Sequence, residues 1–181
     1  MITIAKSLTE EEIKTASEYF SSIKWTQPWI TVKETDTVPK TRIGGGMFLV
    51  LEGKDAGTEP IGSRIIEVPV NTEHTGTLRD PRSGFIAYMP VGSVARGKSY
   101  ATMGGDGKTT QCIICHGKDL KGIGPVPSLA GRSPSYLVRQ MYDMQQGSRD
   151  GLWTPLMKQV LANLTEQDML EIAAYAASIA P

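Results

Sequence analysis

Only two cysteines and two histidines occur in the 181 residues, and neither sign of charge is in excess. Nineteen Lys and Arg balance nineteen Asp and Glu. The chain therefore lacks the basic surplus that a phosphate backbone demands, and no nucleic-acid partner is expected. Long apolar runs are missing too. A run such as Met47-Phe-Leu-Val-Leu51 falls far short of the ~20 residues of a bilayer-spanning helix. It suits a buried strand, and no transmembrane segment is expected. What remains is ordinary: 40% hydrophobic and 21% charged residues exclude a fully disordered chain. Nineteen Gly and eleven Pro place much of the backbone in turns and loops. The length suits one medium domain or two small ones.

The two cysteines stand together in Cys112-Ile-Ile-Cys115-His116. Three chemistries use this spacing. A thioredoxin-type pair opens a helix that follows a strand, but the lead-in, Gly104-Gly-Asp-Gly-Lys108, is a loop. A structural zinc site needs four ligands, and beyond the motif the chain offers one more histidine, His74, and no cysteine. The third chemistry is covalent haem attachment. Two thiols add across the two vinyl groups, and the adjacent imidazole takes the iron from one face. One helical turn sets both sulfurs along the porphyrin edge, which the first two readings do not require.

The residues around the motif carry a resemblance. After Cys112-Ile-Ile-Cys115-His116-Gly117 come Gly122-Ile-Gly-Pro125-Val-Pro127-Ser-Leu129-Ala-Gly131-Arg132, Tyr136-Leu-Val-Arg139-Gln140-Met-Tyr142, Gly147-Ser-Arg149 and Met157-Lys-Gln-Val160-Leu-Ala-Asn163-Leu164-Thr165. Residues 93–181 resemble a class I c-type cytochrome, specifically the second half of the periplasmic two-haem subfamily. The resemblance implies one covalent haem c on Cys112 and Cys115, with His116 as an iron ligand. It implies a methionine as the other axial ligand at Met157, in a loop-like stretch Gly151-Leu-Trp-Thr-Pro155-Leu-Met157 ahead of the final helix. Met144, in the preceding helix, is the rival. The backbone carbonyl of Pro127 is implied to orient the imidazole, with Pro125 a close competitor. Arg132, Tyr136, Arg139 and Trp153 are candidates to approach the haem propionates.

The rest of the chain reads in two parts. Thr9 with Glu12 is a capping box, and Ile13, Ala16, Phe20 and Ile23 follow at helical spacing, so residues 9–24 form a helix. Residues 25–92 read as a β-containing arm or linker. Its expected strands are Trp29–Glu34, Met47–Leu51, Arg64–Val68 and Phe85–Met89, with a hairpin around Gly53–Gly57. His74 lies in a polar stretch expected to be an exposed loop. In the haem half, helices are expected at 93–103, through the motif, at 134–146 and at 165–179, and Gly97 is placed to let its helix cross closely against Tyr175. A search for repeats aligns Leu8–Ile23 without gaps to Leu164–Ile179, with Leu, Thr, Glu, Tyr, Ser and Ile coinciding. The chain therefore opens with a segment like the closing helix of a cytochrome domain, although it carries a single Cys-x-x-Cys-His.

These readings make a mostly α protein: a class I cytochrome c helical fold over about 93–181, preceded by an irregular β-containing arm and an N-terminal helix. The expected function is one-electron transfer between redox protein partners, not enzymatic catalysis. An electron-accepting subunit docked on a dehydrogenase or oxidase is the alternative, and a haem peroxidase a more distant one, since Met157 on the iron would close the open site a peroxidase needs. Residues 1–92 are the expected surface for homo- or hetero-oligomers. The opening Met1-Ile-Thr-Ile-Ala-Lys-Ser has neither the basic start nor the apolar core of an export signal. The resemblance nevertheless implies a periplasmic protein, with the signal outside this sequence. The apolar stripe of residues 9–24 is expected to pack on the arm under Trp25 and Trp29. A chain shortened to begin near Val91 is expected to keep its haem.

Overall fold

The structure is a computed structural model that describes residues 2–24 and 29–181. It opens with α1 (Ile2–Ser7) and α2 (Glu10–Ser22). Thr9 and Glu12 close the capping box: the Glu12 N–H donates to Thr9 Oγ1 at 3.2 Å, and the Thr9 N–H donates to the Glu12 carboxylate at 2.8 Å. Every described side chain of residues 3–24 is exposed, Ile13, Phe20 and Ile23 included. The expected packing of this stripe on the arm is thus not formed. Trp29 is engaged elsewhere, edge-on against Phe85 at 5.9 Å, with its indole N–H donating to the Ser83 carbonyl. Trp25 lies outside the described residues.

Seven short strands follow: β1 (Ile30–Glu34), β2 (Thr37–Pro39), β3 (Thr41–Gly44), β4 (Met47–Val50), β5 (Thr58–Pro60), β6 (Ile66–Pro69) and β7 (Phe85–Met89). The main sheet has the order β1-β7-β6. Central β7 runs parallel to β1, with Val32 opposite Ala87, and antiparallel to β6, with Val68 opposite Ile86. β2 pairs with β5, and β3 with β4. The hairpin falls at Gly45-Gly46, both at positive φ, and not at Gly53–Gly57. That segment is a single 3-10 turn (Gly53–Asp55) because β4 pairs back onto β3, which leaves 53–57 to link two different ladders. His74 is not in a loop either. Asn71 accepts the His74 N–H and starts a short helix, α3 (Thr72–Gly76), from which the half-exposed imidazole faces Asp80 at 3.4 Å.

The second half holds α4 (Ser93–Met103), α5 (Cys112–His116), α6 (Pro134–Gln146), α7 (Thr154–Leu161) and α8 (Glu166–Ser178). α8 is the axis of the molecule. One side of it, Met169, Ile172, Ala173 and Ala176, joins Leu120, Leu137, Met141 and Leu161 in the main core. The other side faces the sheet: Leu170 and Ala174 pack with Met89, and Ala177 with Ile30 and Ala87. Gly97 brings α4 against α8 so closely that a β-carbon there would sit 1.9 Å from the Glu171 carbonyl oxygen and 2.9 Å from Tyr175 Cβ.

Two carboxylates from the sheet cap helices of the haem half. Glu34, closing β1, accepts from the Val94 N–H at 2.8 Å at the start of α4. Glu67 of β6 accepts from Ser133 Oγ and from the Ser135 N–H at the start of α6. Each satisfies donors that a helix start leaves open and places negative charge where the helix dipole favours it. Residues 29–92 are therefore packed into the helical half instead of hanging from it as a linker. This removes the basis for expecting a chain begun near Val91 to stand alone.

Candidate haem site

The motif forms one short helix, α5, so Cys112 and Cys115 lie one turn apart and share a face. Both are free thiols. Burial pushes the Cys112 thiol up to about 11, so at neutral pH it is not the thiolate a redox pair needs. Among the described residues, no three His, Cys, Asp or Glu side chains are grouped to hold a metal ion, so nothing in their arrangement adds to the zinc reading. The thiols remain available for thioether bonds.

His116 is buried, and its Nδ1 lies 2.8 Å from the carbonyl oxygen of Pro127. A carbonyl can only accept, so Nδ1 carries the proton of this bond and Nε2 is the ring nitrogen left for another partner. No protein hydrogen bond reaches Nε2 among the described residues. Of the two candidate prolines, it is Pro127 and not Pro125 that meets the ring. The carbonyl is fixed by its own loop. Leu120, buried and in the left-handed region at φ 53°, turns its carbonyl to accept the Leu129 and Ala130 N–H groups at 2.8 and 3.1 Å. The Gly131 N–H donates to the Ala176 carbonyl of α8, and Gly122 N–H to the His116 carbonyl.

Met157 lies in α7 and not in a loop. Pro155 in the first turn, with its fixed φ, starts the helix, and the Gly151 N–H donates to Thr154 Oγ1 at 3.0 Å. Met157 is half-buried and packs on the main core together with Cys112, Ile113 and Met144. Gln145 of α6 ties down the far end of α7 by donating to the Leu161 and Leu164 carbonyls at 2.7 and 2.8 Å. Thr109, three residues before the motif, donates to the Val160 carbonyl. The structure thus gathers Cys112 and both candidate methionines around one core, and pairs His116 of the same short helix as Cys112 with Pro127. The remaining candidates lie outside it. Arg132 is exposed and donates to the Ser128 carbonyl at 2.6 Å, while Tyr136 and Trp153 are exposed on the starts of α6 and α7. Arg139 pairs with Asp143 at 3.6 Å and lines a cleft with Ser63, Ile65 and Gln167, on the arm side of α6.

Sequence reasoning missed a buried network beside this core. Asp168 accepts from Tyr100 Oη at 2.5 Å, from Lys108, and from Thr165. Burial pushes the Asp168 carboxyl up, but Lys108, Tyr100 and Thr165 together outweigh it and hold the group below the usual carboxylate range. The same hydrogen bond, with burial, lifts Tyr100 to about 12. Asp168 caps its own helix with Thr165, but nothing in the spacing of Tyr100 and Lys108 points to it.

The donor set fits haem c: paired thiols on one helical turn, an imidazole with Nδ1 committed to a carbonyl and Nε2 without a protein partner among the described residues, and a thioether against the core that also holds Cys112. No protein-family model matches the chain. Cytochrome c4 of Pseudomonas aeruginosa is 43% identical over 75 residues, covering 41% of this chain and 36% of that protein. A protein named thiosulfate dehydrogenase electron acceptor, from Thiomonas intermedia, is 32% identical over 99 residues, covering 53% of this chain and 46% of that protein. The chain thus spans less than half the length of these two relatives. Cytochrome c-554(548) of Halomonas halodenitrificans is 36% identical over 75 residues, which cover 41% of this chain and 90% of that protein. With nearly the whole of that cytochrome matched and a donor set that fits its cofactor, the chain belongs to the class I c-type cytochromes, electron-transfer proteins with covalently bound haem c.

Proposed function

We propose that this chain carries single electrons between redox proteins on the periplasmic side of the cytoplasmic membrane, with one haem held by Cys112 and Cys115 and ligated by His116 and Met157. When bound, the haem supplies the one-electron couple. The chain's residues do the rest. Pro127 holds the Nδ1 proton of His116, which keeps the ring oriented and makes it a stronger donor. A neutral thioether at Met157 favours the ferrous state. The main core of Leu137, Met141, Leu161 and Met169 excludes water. Exposed Ile114, Ile123, Leu152 and Trp153 border the motif and the start of α7 and offer an apolar rim for short-lived protein contacts. Arg132, Tyr136 and Trp153 are the donors proposed for the propionates.

The observation that carries this reading is the His116–Pro127 hydrogen bond beside a core shared by Cys112 and Met157. Acid–acetone extraction should leave the haem on the protein, thiol titration should find no free cysteine, and peroxidase turnover should be negligible. Extractable haem, or two free thiols in haem-loaded protein, would overturn it.

A second reading is favoured by one match. The resemblance to the thiosulfate dehydrogenase electron acceptor spans 53% of this chain, more than the cytochrome c4 match of 41%. On that reading the chain is the acceptor subunit of a dehydrogenase, with residues 1–92 contributing the contact. Stoichiometric co-elution with a dehydrogenase whose substrate reduces the haem supports the docked subunit; purification as a free, partner-reducible protein supports the mobile carrier.

A further inference from the structure

We infer that Glu67, on strand β6 of the arm, is a positioning residue for the iron-facing imidazole of His116. The inference rests on the reading of His116 as an iron ligand. Seven residues, Pro127–Ser133, join the carbonyl that orients His116 to the start of α6. Each end of this loop is tied. At the first, Pro127 accepts from His116 Nδ1 at 2.8 Å. At the second, Ser133 Oγ donates to both oxygens of the Glu67 carboxylate at 2.9 and 2.8 Å, and the Ser135 N–H donates to the same group at 2.6 Å. Ser133 Oγ also accepts from the Tyr136 N–H, so one hydroxyl serves the helix cap and the arm at once. Between the ends, Arg132 Nε donates to the Ser128 carbonyl at 2.6 Å, directly after Pro127. Backbone bonds from Leu129 and Ala130 to the Leu120 carbonyl and from Gly131 to the Ala176 carbonyl hold the middle of the loop. Removing Glu67 therefore loosens its second end only, and the Arg132–Ser128 bond is the link that carries this loosening past those pins to the Pro127 carbonyl.

A hydrogen bond from the second ring nitrogen raises the basicity of a ligating imidazole. A more basic ligand stabilises the ferric state, so loosening this bond raises the reduction potential. Glu34 supplies the control. It caps α4 from the same sheet at 2.8 Å, and among the described residues no hydrogen bond joins it to the 127–133 loop.

The test uses the full haem-loaded chain and four variants: Glu67→Ala, Glu67→Gln, Ser133→Ala and Glu34→Ala. Redox titration, proton exchange at His116 Nδ1 followed by NMR in the reduced state, and thermal midpoint are compared. Glu67→Ala is expected to raise the potential and to speed that exchange about tenfold, the factor by which losing one ordinary hydrogen bond raises an opening equilibrium. Ser133→Ala should move both the same way, and it serves if Glu67→Ala does not fold. Glu67→Gln should restore both, because its amide oxygen still accepts from Ser133 and Ser135. Glu34→Ala should lower the midpoint alone. The inference is overturned if Glu67→Ala and Ser133→Ala leave potential and exchange unchanged in proteins with intact low-spin spectra. It is equally overturned if Glu34→Ala matches their shift, or if Glu67→Gln behaves like alanine, which would assign the effect to charge. A wild-type spectrum without a six-coordinate, histidine-ligated iron would instead overturn the underlying reading.

Discussion

Substituting Gly97 by Ala tests how the helical half is held. The added β-carbon meets backbone, 1.9 Å from the Glu171 carbonyl oxygen and 2.6 Å from its carbon, where ordinary contact begins at 3.4 Å. Neither helix can yield a backbone carbonyl by a rotamer change, so α4 and α8 must separate by about 1.5 Å. Two polar links span this crossing: Tyr100 to Asp168 at 2.5 Å and Arg96 to Glu171 at 2.6 Å. Alanine favours the helix by about 1 kcal/mol over glycine. Against that stand about 1–3 kcal/mol of overpacking and the stretching of two charge-assisted hydrogen bonds worth about 1.5–3 kcal/mol each when intact. The net expectation is a loss of about 2–4 kcal/mol. For a chain of this length that lowers the thermal midpoint by roughly 5–15 °C. Thermal unfolding of the haem-loaded variant, followed by far-ultraviolet circular dichroism, reads it directly. A midpoint equal to or above the parent's would mean that propensity wins and that the crossing is looser than described.

Three further outcomes follow from the same structure. Met157→Ala should abolish the weak far-red sulfur-to-iron band of the oxidised protein and lower its potential, while Met144→Ala leaves the band in place; the reverse result would move the ligand to α6. Asp168 and Tyr100 bracket a stability plateau. The folded Asp168 carboxyl lies below its unfolded value of ~3.9, so its contribution is full above that pH and fades as pH falls through the folded value; Tyr100, raised to about 12, contributes fully below ~10 and loses this as pH rises through about 12. Asp168→Asn should cost about 1–3 kcal/mol at pH 7 and flatten the acid limb in urea titrations at pH 7 and 3; an unchanged acid limb would refute the assignment. A chain shortened to begin at Val91 loses both carboxylate caps, each worth about 1 kcal/mol, and bares Leu170, whose burial is worth about 1.5–3 kcal/mol; recovery of haem-loaded protein with the parent's thermal midpoint would show that the sheet is dispensable.

Short-range chemistry was legible in the sequence, and long-range placement was not. The capping box at Thr9, the turn of helix through Cys112–His116, and α4 and α6 all rest on contacts between near neighbours. So do the aliphatic runs that became β1, β4, β6 and β7. The strands β2, β3 and β5 went unseen because each has only three or four residues and two end in proline. α7 was hidden by the glycine and proline at 151 and 155, which read as loop punctuation although proline in a first turn starts a helix. At the candidate site, the motif and Met157 could be read from spacing and resemblance, whereas Glu67, Tyr100 and Lys108 act across 60 to 68 residues of chain. No local pattern encodes a partner at that distance.

The repeat between Leu8–Ile23 and Leu164–Ile179 shows how a face records its neighbour. In α8 the helix-facing positions Met169, Ile172 and Ala176 are apolar, and their counterparts in α2, Ile13, Ala16 and Phe20, are apolar too. The sheet-facing positions Leu170, Ala174 and Ala177 have as counterparts Lys14, Glu18 and Ser21. Lys14 and Glu18 meet each other at 3.9 Å, as solvated i, i+4 side chains do. The two segments share a cap, a length and one apolar side, and differ on the side where one has a sheet and the other has water. The apolar back of α8 is therefore specific to this arm. A closing helix bounded by helices alone would keep Met169 and Ile172 and could afford charge at 170 and 174. The leucine and alanine found there pack on Met89 and join the sheet to the helical half, beside the two carboxylate caps.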